Sequence, residues 1–395
     1  MVISGTGCCL VDFLYNQVDF DSDELRPFLS RSRGDGGLTP GKLVFREEFE
    51  AYSGLSLEMF LRQVTGGRMC DAMNIGGPSV VSLIHASQLT SSDQGEIRFF
   101  GQAGADTHGE FLRSTLRETP LNLENFVQGE GITPSTLVLS DPGYDGEQGE
   151  RMFIHSMGAA RNYGPDHLGE NFFDADLVVF GGTALVPRIH DHLTSLLARA
   201  RSHGCITMVN TVYDFRSERS RPSARWTLGA SDESYRYIDL LITDREEAFG
   251  LSGANNFRQA LAFFREKGLA ALIVTNGPHP IHAYSDGTFF KTMGPRTMPV
   301  SRKIADALKK QREGDTTGAG DNFAGGVLAS LVHQRASGVD SPDLAEACAW
   351  GIVSGGFACF YMGGTYLEKS RGEKMNRIIP YFDAYIRQTG GNQAT

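Results

Sequence analysis

The run Gly314-Asp315-Thr316-Thr317-Gly318-Ala319-Gly320-Asp321-Asn322-Phe323 sets small residues directly ahead of a carboxylate. Gly318, Ala319 and Gly320 carry little or no side chain, so a ligand can come close to their backbone. The chain then turns helical, with Phe323, Val327, Leu328 and Leu331 at apolar helix positions. The first N–H groups of a helix have no internal partners, and the helix dipole is positive there. A phosphate fits such a place. In phosphoryl transfer, negative charge spreads over the equatorial oxygens of the moving group, and fixed N–H donors stabilise it. Asp321, held beside that group, can take the proton of an attacking hydroxyl. The plain alternative is a glycine-rich turn closed by an aspartate N-cap. The chemistry these residue types suit is phosphoryl transfer to a hydroxyl, with Asp321 as general base and the 318–320 backbone as an anion hole.

Such a turn needs a rigid frame. Residues 177–180, 206–209, 240–242 and 270–274 are short, wholly apolar runs. They alternate with amphipathic spans at 193–200, 246–251 and 257–267. That alternation predicts a parallel sheet covered by helices on both faces. Two further helices are predicted at 321–333 and 343–360. Residues 2–14 read as one buried first strand interrupted by glycines. Residues 17–50 are polar, with a Gly/Pro-rich centre, and read as a peripheral excursion. From Gly76 the pattern becomes helical, with Val80, Leu83, Ile84 and Ser87 on one face. A short strand at 97–101 and a short helix at 110–116 follow. Residues 136–140 and 151–155 flank a turn-rich stretch, the pattern of a hairpin with a long tip. The expected architecture is α/β, with a large doubly wound domain from 1–13, 51–96 and 157–395. A small β-rich lid is expected from 14–50 and 97–156.

The bulk composition narrows the function classes. The chain has 395 residues, 41% of them hydrophobic, which suffices for a large core. Its formal net charge is −10, whereas a duplex-binding face needs basic residues to neutralise phosphates. Nucleic acid is therefore not an expected partner. The six cysteines form no C-x-x-C pair, which gives zinc or dithiol chemistry no support and suits a reducing, cytoplasmic setting. The N-terminus lacks a basic leader and carries Asp12, so it does not read as a signal peptide. No run approaches the roughly 18–20 apolar residues of a membrane helix. Residues 36–42 match most of a P-loop, but Leu43 stands where the magnesium-binding hydroxyl belongs and no apolar strand precedes it.

The seven residues 315–321 resemble the C-terminal signature of the PfkB (ribokinase-like) family of carbohydrate kinases. The resemblance extends, with insertions, over nearly the whole chain. Residues 7–12 are similar to the family's first strand, whose terminal acid contacts substrate hydroxyls. Residues 101–109 resemble its G-x-x-G-x-D-x-x-G stretch, and Glu150-Arg151 with Gly158-Ala159-Ala160 its lid segment. Asp244-Arg245-Glu246-Glu247 resembles its N-x-x-E motif, and Thr275-Asn276-Gly277 its T-x-G turn beside the nucleotide. The resemblance implies a ribokinase-like fold, ATP as phosphoryl donor and a small sugar or nucleoside as acceptor. It leans toward the adenosine-kinase-like branch. It implies Asp12, Gly76 and Gly77 at the substrate, and Thr275, Gly277 and Thr316 at the nucleotide. It implies Asp244 and Glu247 at Mg2+, directly or through water, and Asp315 and Thr317 beside a monovalent cation such as K+. A homodimer through the lid is a further implication.

Several positions depart from the family pattern. Its N-terminal signature has a Gly-Gly pair with a polar residue, usually Asn, four positions on. Gly66-Gly67 would put Asp71 there, but the following helix would have to cross Gly76-Gly77-Pro78. Gly76-Gly77 is the preferred register, because Leu89 then closes a helix of suitable length; it puts Val81 at the Asn position. Asp244 replaces Asn and adds a carboxylate near the metal, where hard cations prefer oxygen; it is equally a helix N-cap. Residues 299–314 form a charged insertion without a family counterpart. Three functions stay open: a sugar kinase, a nucleoside kinase, and a non-catalytic binding protein on the same fold.

Overall fold

Glycine at position 7 decides where the chain first changes sheet. The computed structural model describes residues 1–32, 34–147, 149–221, 223–310 and 314–390. Its strands run in chain order β1 (Val2–Gly7), β2 (Leu10–Tyr15), β3 (Leu43–Phe45), β4 (Ala72–Gly76), β5 (Glu96–Ala103), β6 (Phe126–Gln128) and β7 (Ser135–Asp141). They continue with β8 (Glu150–Ser156), β9 (Leu177–Gly181), β10 (Ile206–Asn210), β11 (Leu240–Asp244), β12 (Ala271–Thr275), β13 (Ile281–Ser285) and β14 (Met293–Met298). Residues 2–14 are thus two strands in two sheets, not the single strand expected. Gly7 has φ 135°, and a Cβ there would lie 1.8 Å from the Gly181 carbonyl oxygen. The Cys8 N–H donates to that same carbonyl, and the chain leaves the sheet. Hydrophobicity alone cannot register such a break, because both strands are buried.

The larger sheet has nine strands in the order β14-β13-β12-β11-β10-β9-β1-β5-β6. Strands β6 to β12 of this order pair in parallel, and β13 and β14 add antiparallel at one edge. Alternate side chains fill two cores. Ile3, Val179, Met208, Ile242 and Ile273 point to the face covered by helices Pro78–Leu89, Ala319–Ala336 and Leu344–Ala358. Val178, Phe180, Val209, Leu241 and Leu272 point to the opposite face, with helices Leu193–Ser202, Arg245–Ser252 and Phe257–Glu266. Each such buried side chain contributes about 1.5–3 kcal/mol.

The smaller sheet has five strands, β3-β8-β7-β2-β4, with β7 and β8 forming the expected hairpin. Its membership corrects the expected boundaries. β5 lies in the larger sheet, paired with β1, so residues 97–103 are not part of the lid. β4 lies in the smaller sheet, paired with β2, so residues 72–76 are not part of the body sheet. Ile97, Phe99 and Phe100 are buried on both faces of β5, as an interior strand of a covered sheet requires. The polar excursion at 17–50 hides part of a third, smaller core: its Phe28 and Phe49 meet Phe60 in T-shaped and tilted pairs behind the lid sheet.

Glycines let the helices that carry the signature approach closely. A Cβ at Gly325 would meet the Ser82 carbonyl at 2.5 Å, and one at Gly326 the Ser354 hydroxyl at 2.4 Å. The insertion forms helix Arg302–Leu308 against the C-terminal helix Glu373–Gln388. Tyr385 Oη donates to the Pro299 carbonyl, and the Gln388 Oε1 accepts from the Arg302 N–H. Residues 311–313 of that insertion lie outside the described residues.

Candidate active site

Helix Ala319–Ala336 begins at Gly318, which takes the left-handed conformation with φ 69°. A Cβ at Gly318 would stand 2.5 Å from Gly364 Cα, so only glycine fits. No side chain caps this helix end. Asp321 lies in the first turn and is not the cap, which removes the plain structural alternative. The Ala319 N–H turns back to the Thr316 carbonyl at 3.3 Å, and with no capping side chain the neighbouring first-turn N–H groups form a candidate anion site. At Gly320 an added Cβ would meet nothing within 4 Å, so the free protein places no steric demand for glycine there.

Asp12 approaches this turn from the lid strand β2. Its carboxylate lies against Gly76: a Cβ there would be 2.1 Å from Asp12 Oδ2. Gly77 has φ 106° and packs on the Cys8 carbonyl, and helix Pro78–Leu89 follows at once. Gly66 and Gly67, by contrast, are exposed at the end of helix Leu57–Thr65, and a Cβ on either would meet at most the Arg62 side chain. The register with Gly76-Gly77 is the one that meets Asp12. Val81 is buried and packs toward Gly364. The polar neighbour of Asp12 is instead Asn74, its cross-strand partner on β4.

Burial, with the charges of Asp321 and Asp315 adding to it and Arg151 opposing, raises the Asp12 carboxyl to about 8. Asp321, half-buried, is raised to about 7 by desolvation. Asp12 thus feels the charges of Asp321 and Asp315 across the cleft. Arg151, from lid strand β8, spans it: Nη1 donates to Thr317 Oγ1 and Nη2 to Thr316 Oγ1, both at 2.6 Å. Arg151 lies in the segment that resembles the family's lid, and nothing in the sequence assigns it a role. A lone arginine in a hairpin carries no positional signal until β8 is paired.

Asp315 Oδ1 accepts from the Thr317 N–H and Oδ2 from the Gly363 N–H. It is thereby fixed between the signature turn and residues 361–366. The Thr317 hydroxyl is engaged by Arg151, so at a cation this residue would offer its carbonyl.

A second acidic locus lies at the end of β11. Asp244 caps helix Arg245–Ser252 and forms a capping box with Glu247. Glu247 is buried; its Oε2 accepts from Thr211 Oγ1, Thr243 Oγ1 and the Asp244 N–H. Desolvation and the adjacent Asp244 raise its carboxyl to about 8. A nearby cation would relieve both effects. Among the described residues no group of three or more His, Cys, Asp or Glu side chains could hold a metal alone. Two carboxylates with water and phosphate oxygens nonetheless suit Mg2+, which keeps several waters. Thr275 ends β12 directly beside Asp244, and Gly277 follows in an open turn with φ 54°. No direct contact joins Thr275 or Gly277 to the signature turn among the described hydrogen bonds.

A doubly wound, mostly parallel sheet, a small sheet reaching the same helix N-terminus, and a carboxylate in that helix's first turn define a kinase of the ribokinase-like fold. The chain belongs to the pfkB family of carbohydrate kinases, whose model matches residues 73–370. It is 27% identical over 280 residues to the aminoimidazole riboside kinase of Salmonella typhimurium, covering 69% of this chain and 77% of that one. It is 23% identical over 272 residues to a fructokinase of Vibrio alginolyticus, covering 68% and 81%. Its fold matches that of the adenosine kinase from Sinorhizobium meliloti with a TM-score of 0.69 at 19% identity, covering 95% and 98%.

Proposed function

We propose that this kinase transfers the γ-phosphoryl group of ATP to a hydroxyl of a small sugar. The observation that carries the reading is the convergence of Asp12, Asp321 and Arg151 on the uncapped helix end at Gly318. Asp12, with the backbone at Gly76 and Gly77, holds acceptor hydroxyls. Asp321 takes the proton of the attacking hydroxyl; its raised pKa makes it a competent base near neutrality. The N–H groups of residues 318–320 receive the negative charge of the moving phosphoryl. Arg151 is well placed to exchange its threonine partners for phosphate oxygens, a charge-assisted contact stronger than the neutral one it replaces. Thr275, Gly277 and Thr316 border the nucleotide. Asp244 and Glu247 are the residues that would hold Mg2+, which would supply charge neutralisation on the phosphates. Asp315 and the Thr317 carbonyl border a monovalent cation; replacing K+ by choline in the assay tests that site. The lid sheet excludes water when it docks, which suppresses ATP hydrolysis.

A second reading takes a nucleoside as acceptor. The names of the riboside kinase and adenosine kinase relatives favour it. ATP turnover against a panel of furanose sugars and nucleosides separates the two, and no turnover with any member refutes both. Six free cysteines suit the cytoplasm, and no helix among the described residues is long and apolar enough to cross a membrane. We place a homodimer contact on the outer edges of the lid sheet, β3 and β4; sedimentation velocity tests it.

A further inference from the structure

Lys374 opens the C-terminal helix Glu373–Gln388 and is 1% exposed. A buried lysine is costly unless its charge is met. Its Nζ donates to Gln88 Oε1 at 2.9 Å and to Asn322 Oδ1 at 3.2 Å. It also stands over the faces of Tyr361 and Tyr366, 5.9 and 5.8 Å from the ring centroids. Asn322 follows Asp321 directly. Its Nδ2 donates to the carbonyls of Gly318 and Gly364, each at 2.8 Å, while its Oδ1 also accepts from Tyr361 Oη. Asn322 therefore ties together the residue that starts the anion-binding turn, the turn packed against it, and the lysine behind both.

We propose that Lys374 is a positioning residue for phosphoryl transfer: through Asn322 its ammonium fixes the Gly318 turn, so that the N–H groups of residues 318–321 face the reacting phosphate. This rests on the phosphotransferase reading above. The geometry explains why a helix end with no capping side chain stays ordered. The carbonyls of Gly318 and Gly364 are held from behind, and the N–H side is left for ligand. It also explains an asparagine at position 322, because both ends of its carboxamide are used. The groups facing Lys374 are Glu368, which accepts from its backbone N–H, neutral buried His85, and the two tyrosines. Glu373 and Arg377 reach it only through the Tyr366 hydroxyl.

The test uses the full chain with its best acceptor and saturating ATP. Lys374→Met is expected to lower kcat about 10- to 100-fold, as small misplacements of a reacting group do. The acceptor KM should stay within about threefold. Asn322→Leu should give a loss of similar size, and the double variant should lose no more than either single one, because both break one chain of contacts. A kcat within about threefold of wild type for folded Lys374→Met overturns the inference, as do single losses that multiply in the double variant. A fall in kcat accompanied by a rise in KM and a drop in melting temperature overturns it too, because that pattern marks a merely structural lysine. If Lys374→Met does not fold, wild type decides. Burial pushes Lys374 down to about 7, with Glu368 opposing. The proposal then requires kcat to fall on the alkaline side, and a flat kcat from neutrality to about pH 9.5 sinks it. Failure of wild type on every acceptor would count against the phosphotransferase reading, not against Lys374 specifically.

Discussion

Asp321 and Gly320 sit side by side yet make opposite demands on the free protein. Asp321 is a raised carboxyl that must lose its proton to act as a base. On the acid side the expected kcat/KM therefore rises with pH toward about 7, ahead of the alkaline fall assigned to Lys374, and Asp321→Asn lowers kcat by orders of magnitude with little change in KM. Steady-state kinetics from pH 5.5 to 8.5 check both; a kcat within a few-fold of wild type in the Asn variant removes Asp321 from the base role. Gly320→Ala meets no atom in the free protein. It should melt no lower than wild type, since alanine favours a helix, but bind ATP analogues more weakly. Calorimetric titration decides, and unchanged affinity would move the phosphate away from this backbone. Asp12 adds a stability prediction. Its folded pKa of about 8 lies above the unfolded value of 3.8, so the native state holds the extra proton between them and loses stability as pH rises. Asp12→Asn should therefore raise the melting temperature of the ligand-free protein progressively from pH 5 to 8, while weakening acceptor binding. Thermal melts at several pH values test the slope; a constant difference contradicts it.

Strand β8 is the element that joins the lid to the chemistry. It carries Arg151 to Thr316 and Thr317 at the signature turn. Arg151→Met is expected to cut kcat about 10²-fold or more if it neutralises transition-state charge, the scale of losing one oxyanion donor. It should leave lid stability nearly unchanged, because the guanidinium meets two hydroxyls and the face of the half-buried Phe153 ring, and not a buried core. A change confined to KM for ATP would reassign it to ground-state binding. The lid's own stability rests on the phenylalanine cluster behind its sheet. Phe60 is fully buried between Phe28 and Phe49. Phe60→Ala should destabilise by about 3–5 kcal/mol, read by urea unfolding. A loss below 1 kcal/mol would mean the excursion at 17–50 does not form a core. The polar composition of that excursion hid this cluster, since its aromatics are spaced by turns and show no helix or strand period.

At the scale of the whole molecule, the sequence determined the signature turn. Residues 315–321 are contiguous, and a left-handed glycine, small neighbours and a following helix are local properties, so their geometry follows from their own types. The apolar runs at 177–180, 206–209, 240–242 and 270–274 likewise became β9 to β12, because a strand buried on both faces declares itself by composition. The tertiary structure alone decided which strand joins which sheet. β1 and β2 part at Gly7 because the Gly181 carbonyl occupies the space a side chain would need, a fact about residues 174 positions apart. It also chose Gly76-Gly77 over Gly66-Gly67, by bringing the first pair against Asp12. Arg151, Asn74 and Lys374 gained meaning only through partners distant in the chain. A carboxamide or an ammonium has no periodicity to read, and its role is set by what folding places opposite it.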